Sequence, residues 1–428
     1  MRIYMSALKR VEEAGVKAWL VGDTARMIAM NLQPESLTLA AESCDLKALA
    51  ASLGNGTIDV LGGFPVLRAA VLGMPVEVFP LQGGSIEEDL ARRDFSMNAV
   101  AFRSDGGVVD PFGGRHDIRN RVIRLTGDDI DLVRRDPLRI VRMLRFAAEL
   151  SMDIFWKTET DVRDFIEANP ERVRDTAPER WGREILLGMR SCPCTFVRLC
   201  DGYRLFPLFL PEFEELKDSV DPRTGLTLFD HAMTMLQVVQ NRLRIHKIKE
   251  NDAFALAGLF CRVGTKTLDA GDPQPVVRLA SGYLRRWNIP SETIDRVSAI
   301  ITNYRSLHEP RTEEELCGDV LRYGLEAVKM TLEFASCSAL AERFPSIDVV
   351  KGNRWRLEQV IRRFDSVARR MDGASRFLTG EEVMGLLKLS PGRKVGEVLS
   401  GLDMAVGIGH VASRSDAEAW VLRRGSAL

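Results

Sequence analysis

The feature that most constrains this chain is a change of hydrophobic periodicity near residue 128. Before it, short apolar runs alternate with glycine-bearing turns. Ala18-Trp19-Leu20-Val21 runs into Gly22, and residues 57–61, 64–72 and 76–79 follow as further predicted strands, the last with Glu77 between apolar neighbours. Val108-Val109-Asp110 leads into Pro111-Phe112-Gly113-Gly114, where proline fixes φ and glycine permits positive φ, the chemistry of a turn or hairpin. Beyond residue 128 the apolar spacing becomes helical, as in Leu138, Val141, Leu144 and Leu150, and Pro170, Pro178, Pro193, Pro207 and Pro211 separate one stretch from the next. Residues 226–245 and 251–263 predict two more core helices, and an Arg-rich stretch around 351–378 precedes the last segment. The fold class is therefore α+β: a mixed α/β head with a small sheet, followed by an all-α remainder.

At 428 residues the chain has room for about three domains. Lys and Arg number 59 against 60 Asp and Glu, which excludes a uniformly basic coat but leaves local basic clusters open. Seven cysteines, an odd number, are no disulfide framework. Cys192, Cys194 and Cys200 lie close together, but no second Cys/His pair stands at zinc-finger spacing, so reduced thiols of a cytoplasmic protein are expected. The N-terminal MRIYMSALKRVEEAG carries no apolar signal core, and no run of about 18 apolar residues predicts a membrane span.

Four segments carry chemistry. Glu88 to Ala99 (EDLARRDFSMNA) sets two arginines, an aspartate and an asparagine among apolar residues, and arginine's planar donor fork suits phosphate oxygens. Asp110-Pro111-Phe112-Gly113-Gly114 is followed by Asp117-Ile118 and Val122-Ile123-Arg124. Arg134 to Ala148 predicts a helix with Asp136 and Arg139 as i, i+3 neighbours, Arg142 and Arg145 continuing the row and Leu138, Val141 and Leu144 behind it. Pro178-Glu179-Arg180, with Glu184 one turn on, reads as a helix start. Taken singly, each has an ordinary explanation: a solvated charge cluster, a hairpin turn, the wet side of an amphipathic helix.

In this order, however, they resemble the class II tRNA nucleotidyltransferases and bacterial poly(A) polymerases. The family pattern RRDF-T/S-x-N-A matches Arg92 to Ala99, D-x-F/Y-G-G-x-x-D…I-R matches Asp110 to Arg124, and E-D-P-x-R-x-x-R-x-x-R-F-A matches Asp136 to Ala147, with Arg135 in place of its leading Glu. The resemblance continues from Glu179 and into the tail at Leu378-Thr379-Gly380 and Pro391-Gly392-Arg393-Lys394-Val395-Gly396. It implies a nucleotidyltransferase head over residues 1–127, a neck with a base-template motif over 128–215, a body resembling a phosphohydrolase over 216–350 and an RNA-binding tail over 351–428. It implies that Gly22, Arg26 and Arg92 meet nucleotide phosphate or sugar, and that Arg93, Asp94 and Asn98 shape the pocket. Asp136 and Arg139 would read the base edge, flanked by Arg142 and Arg145, while Arg393 and Lys394 would meet RNA. The implied partners are RNA, foremost the 3′ end of tRNA, and CTP or ATP, with Mg²⁺ as cofactor if the chain is active.

The sequence departs from that family where the chemistry is done. The family opening L-V-G-G-x-V-R-D is here Leu20-Val21-Gly22-Asp23-Thr24-Ala25-Arg26-Met27, with Asp23 in place of the second glycine. An acidic side chain there opposes a triphosphate. The family's D-x-D falls on Ser36-Leu37-Thr38, and alternation on a strand keeps both side chains on one face but removes both charges. Neutral hydroxyls are poor substitutes for carboxylates around Mg²⁺, so Glu77 is left as the residual carboxylate and no metal site is expected. In the body, a family H-D pair is Cys261-Arg262, and His231 then reads as an ordinary helix histidine. Three functions follow: an RNA- and nucleotide-binding relative that has lost standard catalysis, an active CCA- or poly(A)-adding enzyme with non-standard metal ligands, or a scaffold that binds neither.

Overall fold

The computed structural model describes residues 2–42, 45–54, 56–61, 64–220, 225–246, 251–265, 272–341, 347–373 and 377–425. The chain divides into two compact units, Met1–Gly188 and Met189–Leu428.

In the first unit, α1 (Arg2–Glu12), β1 (Ala18–Leu20), α2 (Gly22–Ala29), β2 (Leu37–Ala41), α3 (Leu46–Leu53), β3 (Thr57–Leu61), β4 (Phe64–Val71), β5 (Met74–Pro80), α4 (Ile86–Ala91), β6 (Ala101–Phe102) and β7 (Val108–Val109) build the head. The seven strands form one sheet in the order β3-β4-β5-β2-β1-β6-β7. Only β2 and β5 run parallel, with Thr38 opposite Glu77; the other neighbours are antiparallel.

The period of two in each strand assigns the faces. Leu37 and Leu39, Val76 and Val78, and Leu67 all turn inward onto Leu8, Val11, Ala25, Ile28, Leu46 and Leu49 of the three helices. On the opposite face Trp19, Val21 and Ala40 pack with Ile86, Leu90, Ala99 and Ala101. Thr38, between Leu37 and Leu39, therefore belongs to the second face, as does Glu77 between Val76 and Val78.

Pro111-Phe112-Gly113-Gly114 is a turn but not a hairpin, a correction to one sequence reading. The Asp110 carboxylate accepts from the Gly114 and Arg115 amides at 2.6 and 3.0 Å and so caps α5 (Gly114–Asn120). Gly113 takes φ +67°, and any Cβ on Gly114 would lie 2.0 Å from the Ser96 carbonyl oxygen. Those two glycines dock α5 against the segment that carries Asp94 and Asn98.

The rest of the unit is α6 (Asp131–Arg135), α7 (Leu138–Leu150), α8 (Trp156–Ala168), α9 (Pro170–Arg174) and the first turns of α10 (Pro178–Ser191). Short parallel strands β8 (Val122–Ile123) and β9 (Asp153–Ile154) pin the two ends of the α7 region together.

In the described residues of the second unit every regular element is helical. Phe206, Phe213, Phe254, Phe260, Tyr304 and Phe334 are fully buried there. Thr312 and Thr379 each start a helix through a reciprocal capping box, with Glu315 and Glu382. His231 is buried in the helix Leu228–His246, and Cys261 and Arg262 are buried just after Asn251–Phe260. No helix among the described residues is long and apolar enough to cross a membrane.

The six described cysteines are buried, and no disulfide joins any two of them. Burial raises the thiols of Cys194 and Cys200, and takes Cys317 to about 11 and Cys337 to about 12. Alkylation of the native protein near pH 8, followed by peptide mapping, should leave all six unmodified until denaturant is added.

Candidate functional site

One row across the second face of the sheet holds the positions where the implied metal would sit. Thr38 on β2 faces Glu77 on β5, and Glu77 faces Arg68 on β4. Arg68 Nε donates to Glu77 Oε1 at 3.0 Å, and its Nη1 donates to Asp59 Oδ2 at 2.9 Å. Ser36 stands just before β2. The Thr24 hydroxyl donates to the Ser36 carbonyl at 3.3 Å and accepts from the Thr38 amide at 2.8 Å, fixing this segment against α2. Mg²⁺ demands a near-octahedral shell of oxygens anchored by carboxylates. The row offers two neutral hydroxyls and one carboxylate already engaged by a guanidinium, so the residues present do not fit a metal pair. Among the described residues no group of three or more His, Cys, Asp or Glu side chains is gathered to hold a metal ion.

Next to this row lies the start of α2. Gly22 has φ +61°, the left-handed region that favours glycine, and the tip of the Arg93 side chain lies 3.1 Å from where a Cβ would be. Asp23 lies in the first helical turn, where a carboxylate complements the exposed amides. It also accepts from Arg26 Nη1 at 2.7 Å, although its own side chain is 70% exposed. The chain thus supplies its own anion where a ligand phosphate is implied.

Arg26 opens a chain of charged groups that ties the head to α7 and α10. Its Nη1 donates to Asn98 Oδ1 at 2.6 Å, and Asn98 Nδ2 donates to Asp94 Oδ1 at 2.8 Å. Asp94 Oδ2 pairs with Arg142 at 2.9 Å, and Arg142 approaches Glu184 at 3.6 Å. Glu184 also pairs with Arg145 at 2.7 Å, and Arg145 reaches Glu149 at 2.8 Å. Phe146 lies beneath both Arg26 and Arg145, 4.7 and 4.1 Å from its ring centroid. Burial alone would raise the Asp94 carboxyl, but Arg142, Asn98, Arg139 and the Phe95 amide outweigh it and hold the group below the ordinary carboxylate range. Asp94, aided by Glu184, Asp23 and Asp136, holds Arg142 above its ordinary value against its own burial. Three buried atoms of this chain have no hydrogen-bond partner: Arg26 Nε, Asp94 Oδ2 and Arg142 Nε. The ion-pair distances of Asp94 and Arg142 are met without hydrogen-bond geometry at those two atoms.

Asp136 and Arg139 depart from the sequence expectation. They are not two residues of one helix: Asp136 lies between α6 and α7 with φ −142° and ψ 91°. Pro137 is the reason, because a residue before proline is driven from helical to extended backbone. Arg180 Nη2 donates to both Asp136 oxygens at 3.1 and 2.9 Å, while Arg139 Nη2 donates to the Arg92 carbonyl at 2.8 Å. Burial lowers Arg139 slightly against the pull of Asp94 and Asp136.

Arg145 is likewise no solvated-face residue, being buried against Glu184. Arg93 donates Nε and Nη2 to Asp89 Oδ1 at 3.1 and 2.7 Å, and the side chain of Arg92 is exposed. Arg26, Arg93, Asp94, Asn98, Asp136, Arg139, Arg142 and Arg145 are therefore drawn into linked contacts, while Glu77, Ser36 and Thr38 lie along the sheet row.

The sequence reading took Arg180 and Glu184 only as part of a helix start, and passed over Arg68 and Thr24 as site residues. In the second unit, Arg393 and Lys394 begin the helix Arg393–Gly407, and Arg393 pairs with Glu397 at 2.9 Å while remaining 93% exposed.

Residues 46–124 match the family model described as the poly A polymerase head domain. The A-adding tRNA nucleotidyltransferase of Deinococcus radiodurans is 29% identical over 357 residues, covering 79% of this chain and 79% of that protein. Among solved structures, the Bacillus stearothermophilus CCA-adding enzyme in complex with CTP aligns with a TM-score of 0.60 at 23% identity, over 99% of this chain and 97% of its own. The Thermotoga maritima CCA-adding enzyme complexed with tRNA-CCA gives 0.56 at 19% identity, over 99% and 94%. The structural likenesses speak to fold, and the relative and the head-domain match speak to descent. With Arg92 to Ala99, Asp110 to Arg124 and Asp136 to Ala147 in order on that fold, this chain matches the poly A polymerase head domain and is similar over most of its length to a tRNA nucleotidyltransferase.

Proposed function

We propose that this protein binds the acceptor end of tRNA and a nucleotide at the charged chain that joins the head to α7 and α10, in the cytoplasm, and does not perform standard metal-dependent nucleotidyl transfer. The observation that carries the binding half is the buried chain Arg26, Asn98, Asp94 and Arg142, which gathers donors and acceptors where the resemblance places the nucleotide and leaves Arg26 Nε without a hydrogen bond. Buried polar groups are nearly always paired, and leaving one unpaired costs about 1–3 kcal/mol. An unmet donor on Arg26, beside ion pairs that lack hydrogen-bond geometry at Asp94 Oδ2 and Arg142 Nε, is what a polar ligand would satisfy. Donors and acceptors in one array suit a nucleoside, which offers both kinds of group at its base edge and sugar. The residues that would meet phosphate are the altered ones: Asp23 covers Arg26, and the sheet row lacks its carboxylate pair. The tail positions Arg393 and Lys394 are the proposed RNA contacts of the second unit.

The test is polarisation binding of labelled tRNA lacking its 3′ CCA, with chelator present. Affinity should fall about tenfold or more between 50 and 200 mM salt, since phosphate contacts release counterions. Arg139→Ala should weaken competition by CTP and ATP. Absence of tRNA binding, or a salt-independent affinity, would refute this reading in favour of a scaffold. A companion expectation concerns Asp23. Asp23→Gly should tighten CTP and ATP binding about tenfold, equivalent to about 1.4 kcal/mol, with Asp23→Asn intermediate. Isothermal titration of the three proteins measures it.

A further inference from the structure

We propose that Arg68 is a resident cation that takes the place of a divalent metal on the open face of the head sheet. The proposal rests on the family reading above but concerns a residue that reading does not use.

Three strands supply the argument. Thr38 and Glu77 are partners across β2 and β5, and Glu77 and Arg68 are partners across β5 and β4, so all three side chains share one face. With strands about 4.8 Å apart, the row from Thr38 to Arg68 spans about 10 Å, the scale of a small-ion site and its ligands. The intervening residues Leu37, Leu39, Val76, Val78 and Leu67 are fixed in the core, so the register cannot slip without exposing them. Arg68 reaches from its strand to both carboxylates on this face of the hairpin, Glu77 at 3.0 Å and Asp59 at 2.9 Å. A guanidinium between two carboxylates, beside positions where two more have become Ser36 and Thr38, is the charge arrangement expected of a face that works without a bound ion. A plain cross-strand ion pair, the ordinary alternative, would affect only its own hairpin. A resident cation must also govern what happens at Thr38, two strands away, through the Glu77 they share.

That difference defines the experiment. Mn²⁺ binding is followed by electron paramagnetic resonance on the unmodified protein, on Ser36→Asp/Thr38→Asp, and on that pair combined with Arg68→Thr or Arg68→Lys. The unmodified protein should bind no Mn²⁺ that Glu77→Gln removes. The double variant should bind weakly, the triple variant with Arg68→Thr at least tenfold more tightly, and the one with Arg68→Lys as weakly as the double. Equal affinity with and without Arg68 would overturn the proposal, as would Mn²⁺ bound by the unmodified protein and lost in Glu77→Gln. Circular dichroism checks folding, and Arg68→Gln replaces Arg68→Thr if the latter unfolds. Metal-free tRNA binding is measured on the same samples. Its loss in the unmodified protein would sink the RNA-binding reading while leaving the Mn²⁺ comparison intact.

Discussion

Replacing Asp94 with alanine should cost about 2–4 kcal/mol of stability, discounted from the range of about 3–5 kcal/mol for a fully buried ion pair because the Arg142 side chain is 36% exposed. Asp94 is 5% exposed and holds three groups at once: the Asn98 amide, the Phe95 amide and the Arg142 guanidinium. Its loss leaves the Arg142 guanidinium with only the more distant Glu184 as a partner. It also frees Asn98, the link to Arg26. Asp94→Asn keeps an acceptor for the neighbouring amides but not the charge, so it should fall between the parent and the alanine variant. Urea unfolding at pH 7 measures the differences.

The pH dependence has a fixed sign. The folded carboxyl is held below its unfolded value near 3.8, so its contribution is complete above that value and is lost as pH falls through the lowered one. The gap between the parent protein and Asp94→Asn should therefore close below about pH 4 and stay constant from pH 5 to 7. A gap within about 1 kcal/mol at pH 7, the scale of a surface ion pair, would mean that the network is solvated and contributes little.

Much of this arrangement was legible in the sequence, though unevenly. Head strands β1, β3, β4 and β5 were readable as short apolar runs, as in Val76 and Val78 inward with Glu77 between them, whereas β2 was placed only through the resemblance. The positions of the missing carboxylates came from the resemblance to the family's D-x-D, and alternation added only that Ser36 and Thr38 share a face. The pairing of Arg68 with Glu77 was in principle available from the turn. Leu72 and Gly73 have φ +51° and +78°, the two-residue reversal typical of a tight hairpin, which sets Val71 opposite Met74 and so Arg68 opposite Glu77. Leucine in that conformation gives no sequence signal, since glycine or asparagine is the usual occupant.

The arginines of α7 were misread in part for a different reason. Helical periodicity separates wet from dry faces, but it cannot say that Arg145 is dry because Glu184 comes to meet it. That contact joins residues 39 apart, and no local pattern encodes it. Asp136 was misplaced because helical spacing was carried through Pro137, where the stronger local rule is the proline itself.

The largest expected effect is on chemistry. With labelled CTP and ATP, Mg²⁺ or Mn²⁺, and tRNA lacking its CCA, incorporation by this protein should lie at least about a thousandfold below that of an active relative assayed alongside, equivalent to about 4 kcal/mol in the barrier. In a two-metal transfer the ions stabilise both the attacking and the leaving oxygen. Here one carboxylate remains, Glu77, and Arg68 occupies it. A guanidinium can balance charge, but it cannot activate a hydroxyl by lowering its pKa as a bound cation does, because it has no open coordination position. Retention of Asp94, Asn98, Arg139 and Arg142 favours the opposite reading, an active enzyme with unusual ligands. Their linked contacts give a reason to retain them without turnover: they join the head to α7 and α10, and losing one strands the others. The two readings part on Glu77→Gln. Incorporation that is substantial in the parent, requires Mg²⁺ and disappears in that variant would establish an active enzyme built on Glu77. Incorporation that stays at background, with salt-sensitive tRNA binding preserved, would leave binding as what this fold is kept for.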